Sequence, residues 1–219
     1  MKVFESALVN IFVSFFVGGL VSMLTITNPL SKIPLFLSLT TEMDDAARRR
    51  QARKACIYAF IILTVSLFGG VFILEWFGIS YGALRIAGGI TISLIGYRML
   101  FQSQDIQQPG EQGRHEIAFF PLALPGISGP GAIAVVIGIS TEVAELRSMA
   151  QQAVAYSATV FGILLTVLVV WTTLRSAQFV TKLMGQESID ALNRLMGFLL
   201  VCIGVQFVGS GVRTFIAGA

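Results

Sequence analysis

The sequence predicts an all-α polytopic membrane protein: six transmembrane helices, arranged as an inverted repeat of two three-helix halves, with a proline-broken first helix in each half. Three observations carry this expectation. Of 219 residues, 55% are hydrophobic and only 12% charged, with a mean hydropathy of +0.80, a balance that one soluble core does not absorb. Six apolar stretches approach the roughly 20 residues that cross the hydrocarbon layer of a bilayer. Finally, Asn28-Pro29-Leu30-Ser31-Lys32-Ile33-Pro34 and Leu124-Pro125-Gly126-Ile127-Ser128-Gly129-Pro130 carry paired prolines at equal spacing in the two halves.

The first stretch, about residues 7–27, is longer than a secretory signal core and meets no small-residue cleavage pattern before Asn28-Pro29, so it reads as a retained span. The first break follows it. Proline lacks an amide hydrogen and its ring clashes with the preceding turn, so the chain should open here and free backbone carbonyls. A freed polar group costs several kcal/mol in lipid and is tolerated only against protein or a water-filled cavity. More apolar residues precede this break than the second one: either the first span is long and tilted, or residues 28–40 form a re-entrant piece after a complete crossing.

The loop before the second span (56–77) holds Arg48, Arg49, Arg50, Arg53 and Lys54. A short connection leads to the third span (79–101), which places Arg85 to meet Glu75 as a structural or gating pair. The second break lies in the fourth span (117–139), and the fifth (153–174) and sixth (195–216) complete the chain. Loops are short, so the chain is expected to form one transmembrane domain, with repeat 1 at about 7–101 and repeat 2 at about 117–216. Ala83-Leu84 and Ala191-Leu192, Gly89 and Gly197, and Ile95-Gly96 and Ile203-Gly204 coincide at one constant offset. An odd number of spans per half makes the second half enter from the opposite side, as in many transporters.

Basic residues bias toward the cytoplasmic side. Arg48 to Lys54, Arg114, Arg175, Lys182 and Arg194 share one face, against Lys2, Arg147 and Arg213 on the other, which puts both termini outside the cytoplasm. The arginine cluster reads as a topology anchor, with binding of acidic lipid or nucleic acid as the alternatives. Cys56 and Cys202 lie in apolar stretches with no partner at metal or redox spacing and read as packing residues. The glycines permit close helix contact, within one protomer or in a homo-oligomer.

Asn28 and Ser31 beside Pro29 and Pro34, with Gly126, Ser128 and Gly129 between Pro125 and Pro130, offer neutral hydrogen-bonding groups and room for close backbone approach. Half-helices starting after the breaks would turn amide-rich ends toward a carboxylate, while freed carbonyls suit an ammonium group. Lys32 stands inside the first break, as an anion contact in the pathway or a side chain snorkelling to the interface. The carboxylates lie in loops or at span ends and His115, the single histidine, in a polar loop, so no proton relay is evident. No HExxH, Walker loop, CxxC or GxSxG motif is present, which argues against an enzyme; no cofactor or metal is implied.

The segments NPLSKIPLFLSLT from Asn28, LRIAGGITISLIGYRML from Leu84, PLALPGISGPGAIA from Pro121 and RLMGFLLVCIGVQF from Arg194 resemble the MarC family of bacterial inner-membrane proteins. The resemblance implies a six-span protein of the cytoplasmic membrane, grouped with LysE-like exporters, some of whose members are described as transporters of small neutral amino acids such as glycine and alanine. It also implies Asn28, Pro29, Pro34, Pro125, Gly129 and Pro130 as pathway residues. The expected function is a secondary transporter, exporter or exchanger, of small neutral amino acids by alternating access. A non-transporting scaffold that binds a protein or lipid, or a multidrug pump, is the alternative.

Overall fold

The computed structural model describes residues 2–101 and 117–217, so Arg114 and His115 lie outside the described residues. Eight helices are described: α1 (Lys2–Thr27), α2 (Lys32–Leu39), α3 (Asp45–Trp76), α4 (Tyr81–Phe101), α5 (Pro130–Ala144), α6 (Met149–Arg175), α7 (Ala177–Met184) and α8 (Gln186–Ala217). A 3₁₀ turn, Pro29–Ser31, precedes α2, and an irregular helical segment, Ala118–Ile127, precedes α5. No strand occurs among the described residues. Five of the helical stretches are long and apolar enough to cross a membrane; α5 is apolar but shorter.

The expected fourth span is therefore split between Ala118–Ile127 and α5 rather than continuous. Two further expectations change. Arg48 to Lys54 are not in a loop: they occupy the first turns of α3, which starts early because the Asp44 carboxylate accepts the Ala47 amide at 2.7 Å and caps the helix. Residues 177–184, expected as loop, form α7, and α8 begins well ahead of residue 195. Gly78 and Gly185, at φ +63° and +74°, make the turns between α3 and α4 and between α7 and α8, a conformation that a side chain would disfavour.

The core lies where α1, α3, α5, α6 and Ala118–Ile127 meet, around Met23, Phe36, Leu63, Leu67, Leu122 and Ile163. Outward faces are apolar as well: Ile57, Ile61, Val65, Phe68 and Phe72 run exposed down α3, which suits a helix facing lipid. Buried hydroxyls turn back on their own helices, Thr159 donating to the Ala155 carbonyl and Thr166 to that of Gly162.

Helices α4 and α8 form the most extensive pair, and they meet backbone to backbone. Gly82, Gly89 and Gly96 recur every seventh residue on α4, as do Gly197, Gly204 and Gly211 on α8. A Cβ on Gly89 would fall 2.6 Å from the Gly204 carbonyl oxygen, and one on Gly96 2.5 Å from that of Gly197. Small residues of this kind let helices associate through packing where lipid gives no hydrophobic drive. Gly89→Val should therefore lower stability in detergent by about 1–3 kcal/mol through overpacking. Gly209→Ala, in open space, should stay within about 0.5 kcal/mol; thermal unfolding of the purified variants checks both.

Candidate functional site

Both breaks follow from the restriction that proline places on the residue before it, which is pushed out of the right-handed helical region. Asn28 precedes Pro29 at φ 41° and ψ 79°, a left-handed conformation that asparagine tolerates better than most residues. In the second half, Phe120 before Pro121, Leu124 before Pro125 and Gly129 before Pro130 are all extended. Three prolines make the second break, where the paired-proline pattern used only two. Pro29 opens the 3₁₀ turn and Pro130 opens α5, where a missing amide costs nothing; Pro34 lies in the first turn of α2 for the same reason. The last helical bond of α1 is that of the Asn28 amide to the Leu24 carbonyl at 2.9 Å, and Pro29 has no amide to give the Thr25 carbonyl that comes next.

The two breaks are brought together. A Cβ on Gly131, one residue into α5, would lie 2.7 Å from Ile92 Cγ1 and 3.4 Å from Ile26 Cγ2, so the end of α1, the start of α5 and α4 share one level. Ile92 sits near the middle of α4, about 15 Å from either end at 1.5 Å per residue. Helix α1 runs unbroken to Thr27 before the chain opens, so it is complete before the 3₁₀ turn and α2 begin.

The site residues divide by what their polar atoms do. Ser31 Oγ donates to the Asn28 carbonyl at 2.8 Å, and Ser128 Oγ donates to that of Ala123 at 2.9 Å; each carbonyl also accepts the same residue's amide, so both hydroxyl protons are spent on local backbone. In contrast, Asn28 Nδ2 and Thr27 Oγ1 are buried with no hydrogen-bond partner. Such groups normally cost about 1–3 kcal/mol unless something pairs with them. Helix α5, whose Gly131 lies beside Ile26 near the end of α1, has Gly129 before it with no side-chain cap, and Ser128, Gly129, Gly131 and Ala132 are all buried. First-turn amides of a helix have no acceptor within it and carry its positive end. Gly126 is half-buried beside this start, and Lys32 is half-buried at the head of α2.

The expected Arg85–Glu75 pair does not form. Arg85 instead reaches Glu142 of α5, Nη2 to Oε1 at 3.4 Å, and lies over the Tyr81 ring at 4.2 Å. Glu75 is exposed at the end of α3. The reason is that α5 packs against α4, which gives Arg85 a carboxylate across the helix interface. Tyr81 Oη adds a 3.4 Å hydrogen bond to the Gly138 carbonyl. At the opposite end, Arg48 donates from Nε to Thr40 Oγ1 at 3.1 Å and from Nη2 to the Thr40 carbonyl at 3.0 Å, closing the C-terminus of α2. Each half-helix that follows a break is thus tied at its far end by an arginine. No group of acidic, histidine or cysteine side chains suited to a metal occurs among the described residues.

The family model described as MarC family integral membrane protein matches residues 13–216. The inner membrane protein MarC of Escherichia coli strain K12 is 39% identical over 208 residues, covering 90% of this chain and 94% of its own. That of Shigella flexneri gives the same identity and coverage. No solved structure matches.

Because the Glu142 side chain is 53% exposed, a double-mutant cycle with Arg85→Gln and Glu142→Gln should give a coupling below about 1 kcal/mol. Chemical unfolding in detergent measures it, and a much larger coupling would mark the pair as a main support of the fold.

Proposed function

This chain belongs to the MarC family of integral membrane proteins, and we propose that it is a secondary transporter of small neutral amino acids, an exporter or exchanger working by alternating access. One observation carries the reading: the end of α1 and the start of α5 come together beside the middle of α4, and Asn28 Nδ2 and Thr27 Oγ1 at the first break are buried and unpartnered. A zwitterion of the glycine or alanine class complements that set. Its carboxylate accepts from the Asn28 amide and the first-turn amides of α5, where the helix dipole favours an anion. Its ammonium donates to the Thr25 carbonyl, and Gly129 and Gly131 keep the space small. Discontinuous helices with such ends are the usual construction of midplane substrate sites. Lys32, one turn past Asn28, adds a positive charge on the carboxylate side.

Alternating access requires two halves that move against each other, and the packing supports an inverted repeat. Exchanging the halves maps α1 onto Ala118–Ile127, α2 onto α5, α3 onto α6 and α4 onto α8. The α1–α6 contact then becomes that of Ala118–Ile127 with α3, and both are packed; α2–α6 becomes α5–α3, and both are packed. The glycine contact of Gly89 with Gly204 becomes that of Gly197 with Gly96. The names of the relatives and the one-sided basic residues support a bacterial inner-membrane location with both termini outside the cytoplasm.

Purified protein in liposomes should move radiolabelled alanine or glycine above empty vesicles, measured with and without sodium and pH gradients. Asn28→Gly keeps the left-handed backbone but removes the carboxamide and should cut flux by about tenfold, the scale of a hydrogen bond to a charged group. If no solute in a broad panel moves, the reading fails, and a scaffold that binds a partner is favoured instead.

A further inference from the structure

We propose that the cleft between the first turns of α3 and the last turns of α6 is a binding site for the headgroup of an anionic phospholipid. The cleft, about 510 Å³, is lined by Ala46, Arg49, Arg50, Arg53, Trp171 and Arg175. Four guanidinium groups and no carboxylate face it. Asp45 lies outside this lining, in an adjoining pocket that it shares with Arg49 and Arg175, and its Oδ1 is 3.3 Å from Arg48 Nη1. Arg49, Arg50, Arg53 and Arg175 are exposed, and Arg175 lies 5.3 Å over the Trp171 ring, which holds that guanidinium at the cleft wall.

The surroundings select a lipid over a soluble anion. Indole rings settle at the level of lipid headgroups, and Trp171 marks that level on α6. Directly below on α3, Ile57 and Ile61 follow Arg53 at four-residue steps; on α6, Leu164 and Leu168 precede Trp171 and Arg175 at helical spacing. All four are exposed apolar side chains. A phosphate above and acyl chains below fit this sequence of charge, aromatic ring and hydrocarbon. Guanidinium forks bind phosphate oxygens in pairs, which ammonium groups do not. A cluster that only orients the chain by charge has no need of forks, so lysine would serve it equally well.

The test is native mass spectrometry of the full chain in detergent with phosphatidylglycerol, cardiolipin and phosphatidylethanolamine of matched acyl chains. Pyrophosphate is the competing soluble anion. Retention of the two anionic lipids over phosphatidylethanolamine by about tenfold is expected, from several basic contacts at a lipid surface. The charge-conserving variant Arg50→Lys/Arg53→Lys/Arg175→Lys should lose most of that preference, while Arg213→Lys, at the end of α8, should not. Equal retention of all three lipids, an unaffected triple variant, or displacement by pyrophosphate would overturn the proposal. Should the triple variant fail to fold, photoactivatable phosphatidylglycerol on the unaltered protein decides: crosslinks at Ile57, Ile61, Leu164 or Leu168 support the site, and crosslinks confined to α4 and α8 refute it.

Discussion

The steric conflict between a proline ring and the residue before it governs this molecule. Phe120, Leu124, Gly129 and Asn28 all leave the helical region for that one reason, and each departure strands main-chain groups where lipid offers no replacement partner. The rest of the architecture packs around these departures: α6 and α8 lie against the first break and α3 against the second. The Ser31 and Ser128 hydroxyls stay on local backbone, while the Asn28 side-chain amide and the Thr27 hydroxyl are buried without partners.

The two half-helices beyond the breaks share a mechanical plan. Each begins at a proline break and is fastened at the other end, α2 by Arg48 through the Thr40 carbonyl and α5 by Arg85 through Glu142. The fastenings differ in kind. Arg48 replaces the donors that a helix C-terminus lacks, whereas Arg85 makes a half-exposed ion pair that contributes little stability and breaks easily.

Much of this was legible in the sequence. Long apolar stretches located the five helices long and apolar enough to cross, because length and hydropathy are the physical requirement for spanning lipid, but not the split of the fourth. The paired prolines located both breaks because proline's effect is local. Glycine correspondences between residues 89 and 197 and between 96 and 204 pointed at the helix pair that the structure joins. What failed depended on tertiary neighbours or on capping. Arg85 had two carboxylates in prospect, and only the position of α5 chose Glu142. The arginines after Asp44 looked like loop because they are polar, yet arginine is a good helix former and Asp44 caps the helix. Ser31 and Ser128 looked available to a solute, since spacing does not reveal that a hydroxyl has turned to its own backbone.

The glycine contact between α4 and α8 has a bearing on how such a chain drifts through generations. An interface made of main chain against main chain carries almost no information in its side chains, so most positions of both helices are free to exchange one apolar residue for another. The burden falls on positions 82, 89, 96, 197, 204 and 211, where even a methyl group meets a carbonyl or backbone nitrogen. Two descendants could therefore look dissimilar along these helices and still assemble them identically, provided those six places stay empty.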